Sequence, residues 1–276
     1  MNTDPQNWHS QLQGFAHPIH FLKCVESTTT TMDLARELIE QYAPLPHYAV
    51  GIALAQQQTN GRGRLERNWD SRVGNLHTTI ILPLSSYDIS KARGFSLVVG
   101  CAIAAFLREN GIQVKLKWPN DILDFENKKL GGVLIELLPI FKVGSKTNDP
   151  YYVILTGIGI NLTSCPEGAS SLKKLGIPES SPLIASPAAF LAGLLPFLTA
   201  AHSQFISEGF ASFKTDWLAF AQIESKEVQF TVNEQKLIGT FIGLTDSGTL
   251  QVLYNHQVHE ISAGDISLIG DRKVKR

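Results

Sequence analysis

Two long apolar runs, 132-GVLIELL-138 and 152-YVILTGIGINL-162, constrain the fold of this chain more than any other feature. Continuous apolar runs of this length, rich in branched residues, read as strands, and the polar stretch 142-KVGSKTNDP-150 between them reads as a hairpin connection. Further strands are expected at 77-HTTIILPL-84 and at 49-AVGIALAQQQ-58, and 113-QVKLKW-118 alternates as a half-buried strand does. Strands thus dominate the middle of the chain.

Helices are expected around them. In 33-DLARELIEQY-42 the apolar residues Leu34, Leu38, Ile39 and Tyr42 recur at helical spacing, and Asp33 places negative charge at the start. The run 95-FSLVVGCAIAAFLREN-110 is a largely apolar helix stopped by Gly111. Residues 163–186, dense in Ser, Pro and Gly, read as a long loop with a short helical turn at 172–175. Ser186-Pro187 then caps a helical stretch over 188–220, in which Pro196 and Gly209 predict a kink or break. After residue 225 the texture changes to closely spaced short strands, 227–232, 237–244, 249–254 and 257–261, which suggests a small separate β barrel. The expected division is an aperiodic leader over 1–18, a mixed α+β domain over 19–224 and the barrel over 225–272.

With 24 Lys and Arg against 25 Asp and Glu, no general attraction to nucleic acid or an anionic membrane is built in. A hydrophobic content of 43% suits a chain that buries a full core. Cys24, Cys101 and Cys165 are widely spaced and odd in number, which favours free thiols in a reducing compartment. The first residues carry no signal-peptide pattern and no window of about 18 uninterrupted apolar residues occurs, so a cytoplasmic protein is expected.

Four segments break the structural pattern. In 58-QTNGRGRLERNWDS-71, glycines let backbone amides approach an anion while Arg62, Arg64 and Arg67 add charge suited to bidentate contact with phosphate; a solvated hairpin tip turning at Asn60-Gly61 is the plainer reading. In 115-KLKWPNDIL-123, Lys115 and Lys117 share a strand face and Asn120-Asp121 sit at the strand exit, where polar residues line a site or merely turn the chain. In 127-NKKLGGVLIE-136 a lysine stands at a strand mouth before a Gly pair, or on an exposed turn. In 156-TGIGIN-161, Gly157 and Gly159 clear one face of a strand for something that packs closely. Neither a dinucleotide fingerprint nor a phosphate loop is present, no nucleophile motif appears, and His17 and His20 lack metal-ligating partners.

Taken in order, G-R-G-R-x-x-R-x-W, K-W-P-N-D, K-L-G-G-V-L-I-E and G-I-G-I-N resemble the catalytic domain of biotin protein ligases, the biotin-[acetyl-CoA-carboxylase] ligases, from about residue 20 to 270. The segment 264-GDISL-268 is similar to that family's closing strand motif. The resemblance implies an α+β fold, a mixed β-sheet with packed helices of the class II synthetase-like kind, followed by an SH3-like barrel. It implies biotin, ATP and Mg²⁺ as substrates and cofactor, biotinyl-5′-AMP as intermediate, and a lysine of a carboxylase's biotin carboxyl carrier domain as acceptor.

Carried over by position, the resemblance assigns Thr30, Thr31, Met32, Gln58, Arg62, Gly63, Arg64 and Lys129 to biotin and its adenylate. Arg62, Arg64, Arg67, Trp69, Lys117, Asn120 and Asn161 fall to ATP, with Trp69 near adenine and Asn161 near the ribose. Arg64, Lys117, Asp121 and Lys129 are the implied catalytic set, Asp121 as the base for the acceptor amine or a ligand of Mg²⁺. The family's usual Ser-Thr-Asn is replaced: aligning on the following D-L-A-R-E-L puts Thr30-Thr31-Met32 there, and Ser27-Thr28-Thr29 is the alternative. Family members that also repress transcription carry an N-terminal winged helix, for which the leader over 1–18 is too short, so a ligase without autonomous DNA binding is expected, as monomer or homodimer. A lipoate- or octanoate-transferring enzyme of the same fold and a non-catalytic biotin sensor are the rival readings.

Overall fold

The computed structural model describes residues 5–13, 19–42, 50–84, 89–140, 150–223, 226–232, 235–262, 264 and 266–268. Its larger part is a mixed seven-stranded sheet in the order β1-β2-β3-β7-β6-β5-β4. These strands are β1 (Ile19–Thr28), β2 (Val50–Gln58), β3 (Leu76–Leu84), β4 (Lys115–Lys117), β5 (Asp121–Leu123), β6 (Lys129–Ile140) and β7 (Tyr151–Ile160). β1 and β2 run parallel, joined through helix α2 (Thr31–Tyr42), and the other neighbours are antiparallel. The expected hairpin is β6–β7, closed by the pair Ile140 and Tyr151; its connection over 141–149 lies outside the described residues.

The long apolar runs follow from coverage of both sheet faces, because alternate residues must then be apolar in both directions. On β2, Ile52 and Leu54 join the main core while Ala53 joins a second cluster with Leu34, Ala35, Leu38 and Ile39 of α2. The main core is built by helix α3 (Phe95–Glu109), which buries Leu97, Val98, Ile103 and Leu107, and by α5 (Pro187–Glu208), which buries Phe190, Leu191, Leu194 and Leu195. Each such side chain contributes about 1.5–3 kcal/mol through removal from water. α5 is long and apolar enough to cross a membrane, but those buried side chains make it the core helix of this sheet.

Several elements differ from expectation. The leader, aperiodic in sequence, contains helix α1 (Pro5–Gln13), whose Trp8 and Leu12 are fully buried and join the main core; two large side chains suffice to anchor so short a helix. A short helix, α4 (Pro182–Ala185), lies inside the expected loop and is capped by the Ser181 hydroxyl. The break expected between 188 and 220 occurs at Gly209, where φ is +74°, after which a short 3-10 turn leads into α6 (Lys214–Ala221). α5 passes through Pro196 unbroken, since that residue faces solvent, where the carbonyl it leaves unbonded can be hydrated. The Ser186 cap is as expected, its hydroxyl accepting from the Ala189 amide.

The C-terminal unit is an antiparallel sheet in the order β11-β10-β9-β8-β12, made of β8 (Glu227–Val232), β9 (Gln235–Leu244), β10 (Leu250–Tyr254), β11 (Gln257–Ile261) and β12 (Ser267–Leu268). This sheet stands where the run of short strands suggested a small barrel, and it fits the SH3-like domain that the resemblance implies. Its inward residues Val228, Phe230, Phe241, Leu250 and Val252 continue the main core. The expected boundary at 224/225 falls outside the described residues. All three cysteines are free, and burial raises the Cys24 thiol to about 12.

Candidate active site

α2 covers only part of its sheet face. On β7, Val153 and Leu155 pack beneath it, and the same face continues as Gly157 and Gly159; on β3, Ile81 is followed by Thr79 and His77. Where the apolar side chains stop, a cavity of about 400 Å³ opens over the sheet. The close approaches explain both glycines. A Cβ on Gly157 would meet Met32 Sδ at 3.2 Å, and one on Gly159 would lie 2.5 Å from Trp69 Cε2.

At the start of α2 the cavity is lined by a hydrogen-bonding cluster of neutral side chains, with Arg62 Nη2 donating to the Thr30 hydroxyl at its edge, 3.4 Å away. Thr30 caps α2, its hydroxyl accepting from the Asp33 amide at 3.0 Å. The next amide, Thr31 N, donates to Gln58 Oε1 at 2.8 Å, and Thr79 Oγ1 donates to Thr31 Oγ1 at 2.9 Å. Gln58, at the end of β2, donates in turn to Ser71 Oγ at 2.8 Å. Thr30, Thr31 and Met32 line the cavity, whereas Ser27, Thr28 and Thr29 are not among its lining residues.

The Arg-Gly segment forms a small loop over the cavity, closed by Gly63 N to Arg67 O at 2.7 Å, Trp69 N to Gly61 O at 2.8 Å and a bridge between Arg62 and Asn68. Its tip is at Leu65 and Glu66, both at positive φ, and not at Asn60-Gly61 as the plainer reading had it. Arg62 pairs with Asp33 at 2.5 Å. Arg64 donates through Nη1 to the Gly264 carbonyl at 3.1 Å, tying the loop to the C-terminal unit. Arg62, Gly63, Arg64, Arg67 and Trp69 all line the cavity.

The opposite wall comes from the β4–β5 hairpin and the start of β6. Asp121 opens β5, paired with Lys117, so it is a strand residue rather than part of the turn. Its carboxylate takes Lys129 Nζ at 2.5 Å and stands 3.9 Å from Lys117 Nζ. Lys129 also lies 5.5 Å from the Trp69 ring centroid, a cation–π contact. Asn120 donates to the Val133 carbonyl at 2.7 Å, and buried Asn161 donates to Ser170 O at 3.0 Å. Asn120, Asp121, Lys129 and Asn161 line the cavity; Lys117 stands behind Asp121. The neighbouring lysines have other duties. Lys128 pairs with Glu126 on the surface, and Lys115 holds the β5–β6 turn through Phe125 O and Asn127 Oδ1.

Two buried residues have structural importance that the motifs did not signal. Asn75 accepts from the amides of Leu162, Thr163 and Ser164 and donates to Ser164 O, which fixes the chain as it leaves β7. His77 lines the cavity, bonds to Arg72 O at 3.1 Å through Nε2 and is lowered to about 4, chiefly by burial, so its imidazole is neutral at physiological pH. The signal available was the polar run 77-HTT-79 inside an otherwise apolar strand. Arg62, Arg64, Arg67 and Lys129 outnumber Asp70 and Asp121 in the lining, so the cavity is a cationic site in a chain of nearly balanced charge.

Residues 21–148 match the biotin/lipoate A/B protein ligase family, and residues 226–269 match the biotin protein ligase C-terminal domain. The chain is 30% identical over 224 residues to the bifunctional ligase/repressor BirA of Escherichia coli, covering 78% of this chain and 65% of that protein, so it spans just under two thirds of that relative's length. It is 26% identical over 206 residues to the biotin–[acetyl-CoA-carboxylase] ligase of Paracoccus denitrificans, covering 71% of this chain and 81% of the relative. Its fold superposes on the biotin protein ligase of Aquifex aeolicus in complex with biotin and ATP with a TM-score of 0.70 and 26% identity, over 91% of this chain and 99% of the other. The chain belongs to the biotin/lipoate A/B protein ligase family and carries the biotin protein ligase C-terminal domain.

Proposed function

We propose that the chain is an ATP-dependent biotin protein ligase that acts on a lysine of a biotin carboxyl carrier domain. The observation that carries this reading is the pairing, in one cavity, of neutral hydrogen-bonding groups at Thr30, Thr31 and Gln58 with cationic groups at Arg64 and Lys129, Arg62 standing beside Thr30 between the two sets. Biotin presents the matching pair, with a ureido ring at one end and a carboxylate at the other. A lipoyl ring has neither N–H nor C=O for the Thr31–Gln58 cluster, which disfavours the rival of the same fold.

In the first step a biotin carboxylate oxygen attacks the α-phosphorus of ATP, the bond to the β-phosphate oxygen breaks, and pyrophosphate leaves. Arg62, Arg64 and Lys129 hold the two anions together and offset the charge that builds on the phosphate oxygens. Trp69 packs near adenine, while Arg67, Asn120 and Asn161 contact the nucleotide and Lys117 its phosphates. The residues present fit Mg²⁺ as a nucleotide-borne ion: it would be held mainly by phosphate oxygens beside Asp121 and would neutralise phosphate charge. Among the described residues no group of three His, Cys, Asp or Glu side chains could hold an ion alone. In the second step the acceptor amine, having lost a proton to Asp121, attacks the acyl carbon and AMP leaves. The Arg-Gly loop keeps water from the anhydride in the interval.

Exchange of labelled pyrophosphate into ATP tests the first step. Exchange that requires biotin and is not supported by lipoate is expected; exchange supported by lipoate alone would move the protein to the other branch of the family. The three free cysteines accord with a cytoplasmic protein.

A further inference from the structure

The tip of the Arg-Gly loop is a turn from Arg64 to Arg67, closed by Arg67 N donating to the Arg64 carbonyl at 3.2 Å. Both of its central residues lie in the left-handed region, Leu65 at φ +53° and Glu66 at φ +57°. Positive φ at both places is what a type I′ turn demands, and Asn-Gly or a glycine pair is the sequence that suits it. Leucine and glutamate do not. Their Cβ atoms crowd a backbone carbonyl oxygen in this region, and neither has the short polar side chain that makes it tolerable for asparagine.

Nothing at the tip offsets that cost. Leu65 is 70% exposed and Glu66 is exposed as well, so packing holds neither side chain in place. The loop is anchored at its base, where Thr59 N and Asn60 N donate to the Thr28 and Thr29 carbonyls at 2.8 and 3.0 Å, and Trp69 is seated on Gly159. Between these anchors, residues 62–67 are held by the turn bond, by Gly63 N to Arg67 O, by Arg64 to the Gly264 carbonyl and by the ion pair of Arg62 with Asp33. Each bond gains little over the water it replaces, and the ion pair, more than a third exposed at both partners, contributes little too. Two left-handed residues of ordinary side chain cost a comparable amount. The closed tip is therefore near balance in the ligand-free protein.

We propose that Leu65 and Glu66 are positioning residues whose strain sets how long the tip stays shut over the adenylate: residues 62–67 relax when they let go, so closure persists only while Arg62, Gly63 and Arg64 hold an anion. The inference rests on the ligase reading of the cavity. Such a turn suits a two-step reaction, in which the tip has to exclude water from the anhydride and afterwards release AMP. A relaxed turn would stay shut over AMP as it does over the adenylate.

The test orders variants by their tolerance of left-handed backbone. Leu65→Asn relieves one residue, Leu65→Asn combined with Glu66→Gly relieves both, Leu65→Val worsens the strain through its branched Cβ, and Glu66→Gln removes charge alone. Amide hydrogen exchange at Gly63 and Arg67, read by NMR without ligands, should slow about threefold in Leu65→Asn. It should slow about tenfold in the double variant, glycine's added freedom in the open tip taking back part of the gain, and quicken about threefold in Leu65→Val. Glu66→Gln should match the wild type. Release of bound biotinyl-AMP, followed by stopped flow, should change in the same order and by similar factors. Equal exchange across the series overturns the proposal, as does a Glu66→Gln that behaves like the double variant, which would assign the effect to charge. Exchange that follows the order while adenylate release does not leaves a turn with no part in the reaction and also overturns it. A wild type that forms no adenylate would sink the ligase reading alone, and the exchange order would still decide whether the turn is strained.

Discussion

Asp121 sits between two ammonium groups, 2.5 Å from Lys129 and 3.9 Å from Lys117, and on the proposed reading it serves the second half-reaction as the base. Asp121→Asn keeps the shape of the hairpin but removes the base, so carrier transfer should slow by about a hundredfold or more while adenylate formation falls much less. Single-turnover assays of each half-reaction check this, and an equal fall in both would contradict the assignment. Lys129→Gln acts earlier: loss of a charge-assisted contact with the biotin carboxylate should lower kcat/KM for biotin by about ten- to a hundredfold. His77 leaves a mark on stability. Burial lowers it from 6.5 to about 4, so on acidification through that window the unfolded chain takes up a proton that the folded chain refuses. Stability should therefore fall as pH falls from 6.5 to 4, by on the order of 3 kcal/mol from this residue, and His202, lowered by burial as well, acts in the same direction. Denaturant unfolding of His77→Gln should show a weaker loss between pH 7 and 4.5 than the wild type; an unchanged loss would remove His77 as its source. The residues of the Arg-Gly loop and Lys129 were legible in the sequence because charge and glycine are out of place beside a buried strand. His77 was not, because the burial that keeps its imidazole neutral exists only once β7 and the Trp69 loop are packed against it.

Among the elements, those with one strong period were legible. β2, β3, β6 and β7 are apolar on both faces because helices cover both sides, and α3 is apolar around most of its circumference because the sheet, α5 and α6 surround it. α1 was not legible, since its burial rests on Trp8 and Leu12 meeting α5, a contact that no local pattern announces. β5 was not legible, because three residues of pairing with β4 cannot establish a period, and Asn120-Asp121 read equally as a site or a turn. The β4–β5 hairpin also has a role outside the sheet. Trp118 donates through Nε1 to the Gly248 carbonyl at 3.0 Å in the C-terminal unit, a fully buried bond. Trp118→Phe retains most of the apolar contact and leaves that carbonyl unpaired, so a loss of about 1–3 kcal/mol is expected in thermal or denaturant unfolding. No loss would show that the C-terminal unit docks without this bond.

At the scale of the molecule, the C-terminal sheet shares a continuous core with the larger domain and is bonded to the β4–β5 hairpin through Trp118 to Gly248, while Arg64 of the Arg-Gly loop bonds to Gly264. The two motifs that frame the cavity are thereby braced by a part of the chain distant in sequence, which local sequence patterns could not reveal. The cavity itself needs β3, β6 and β7 in register, the N-terminus of α2 and the Arg-Gly loop at once. The central claim is that this assembly joins biotin to a carrier lysine, and the intact mass of a biotin carboxyl carrier domain after incubation with the protein, biotin and MgATP tests it most directly. The expected result is a gain of one biotinyl group on the intact carrier and none on a carrier whose target lysine is replaced by alanine. No gain on the intact carrier, with biotin and ATP binding confirmed, would contradict the ligase account and leave a biotin sensor.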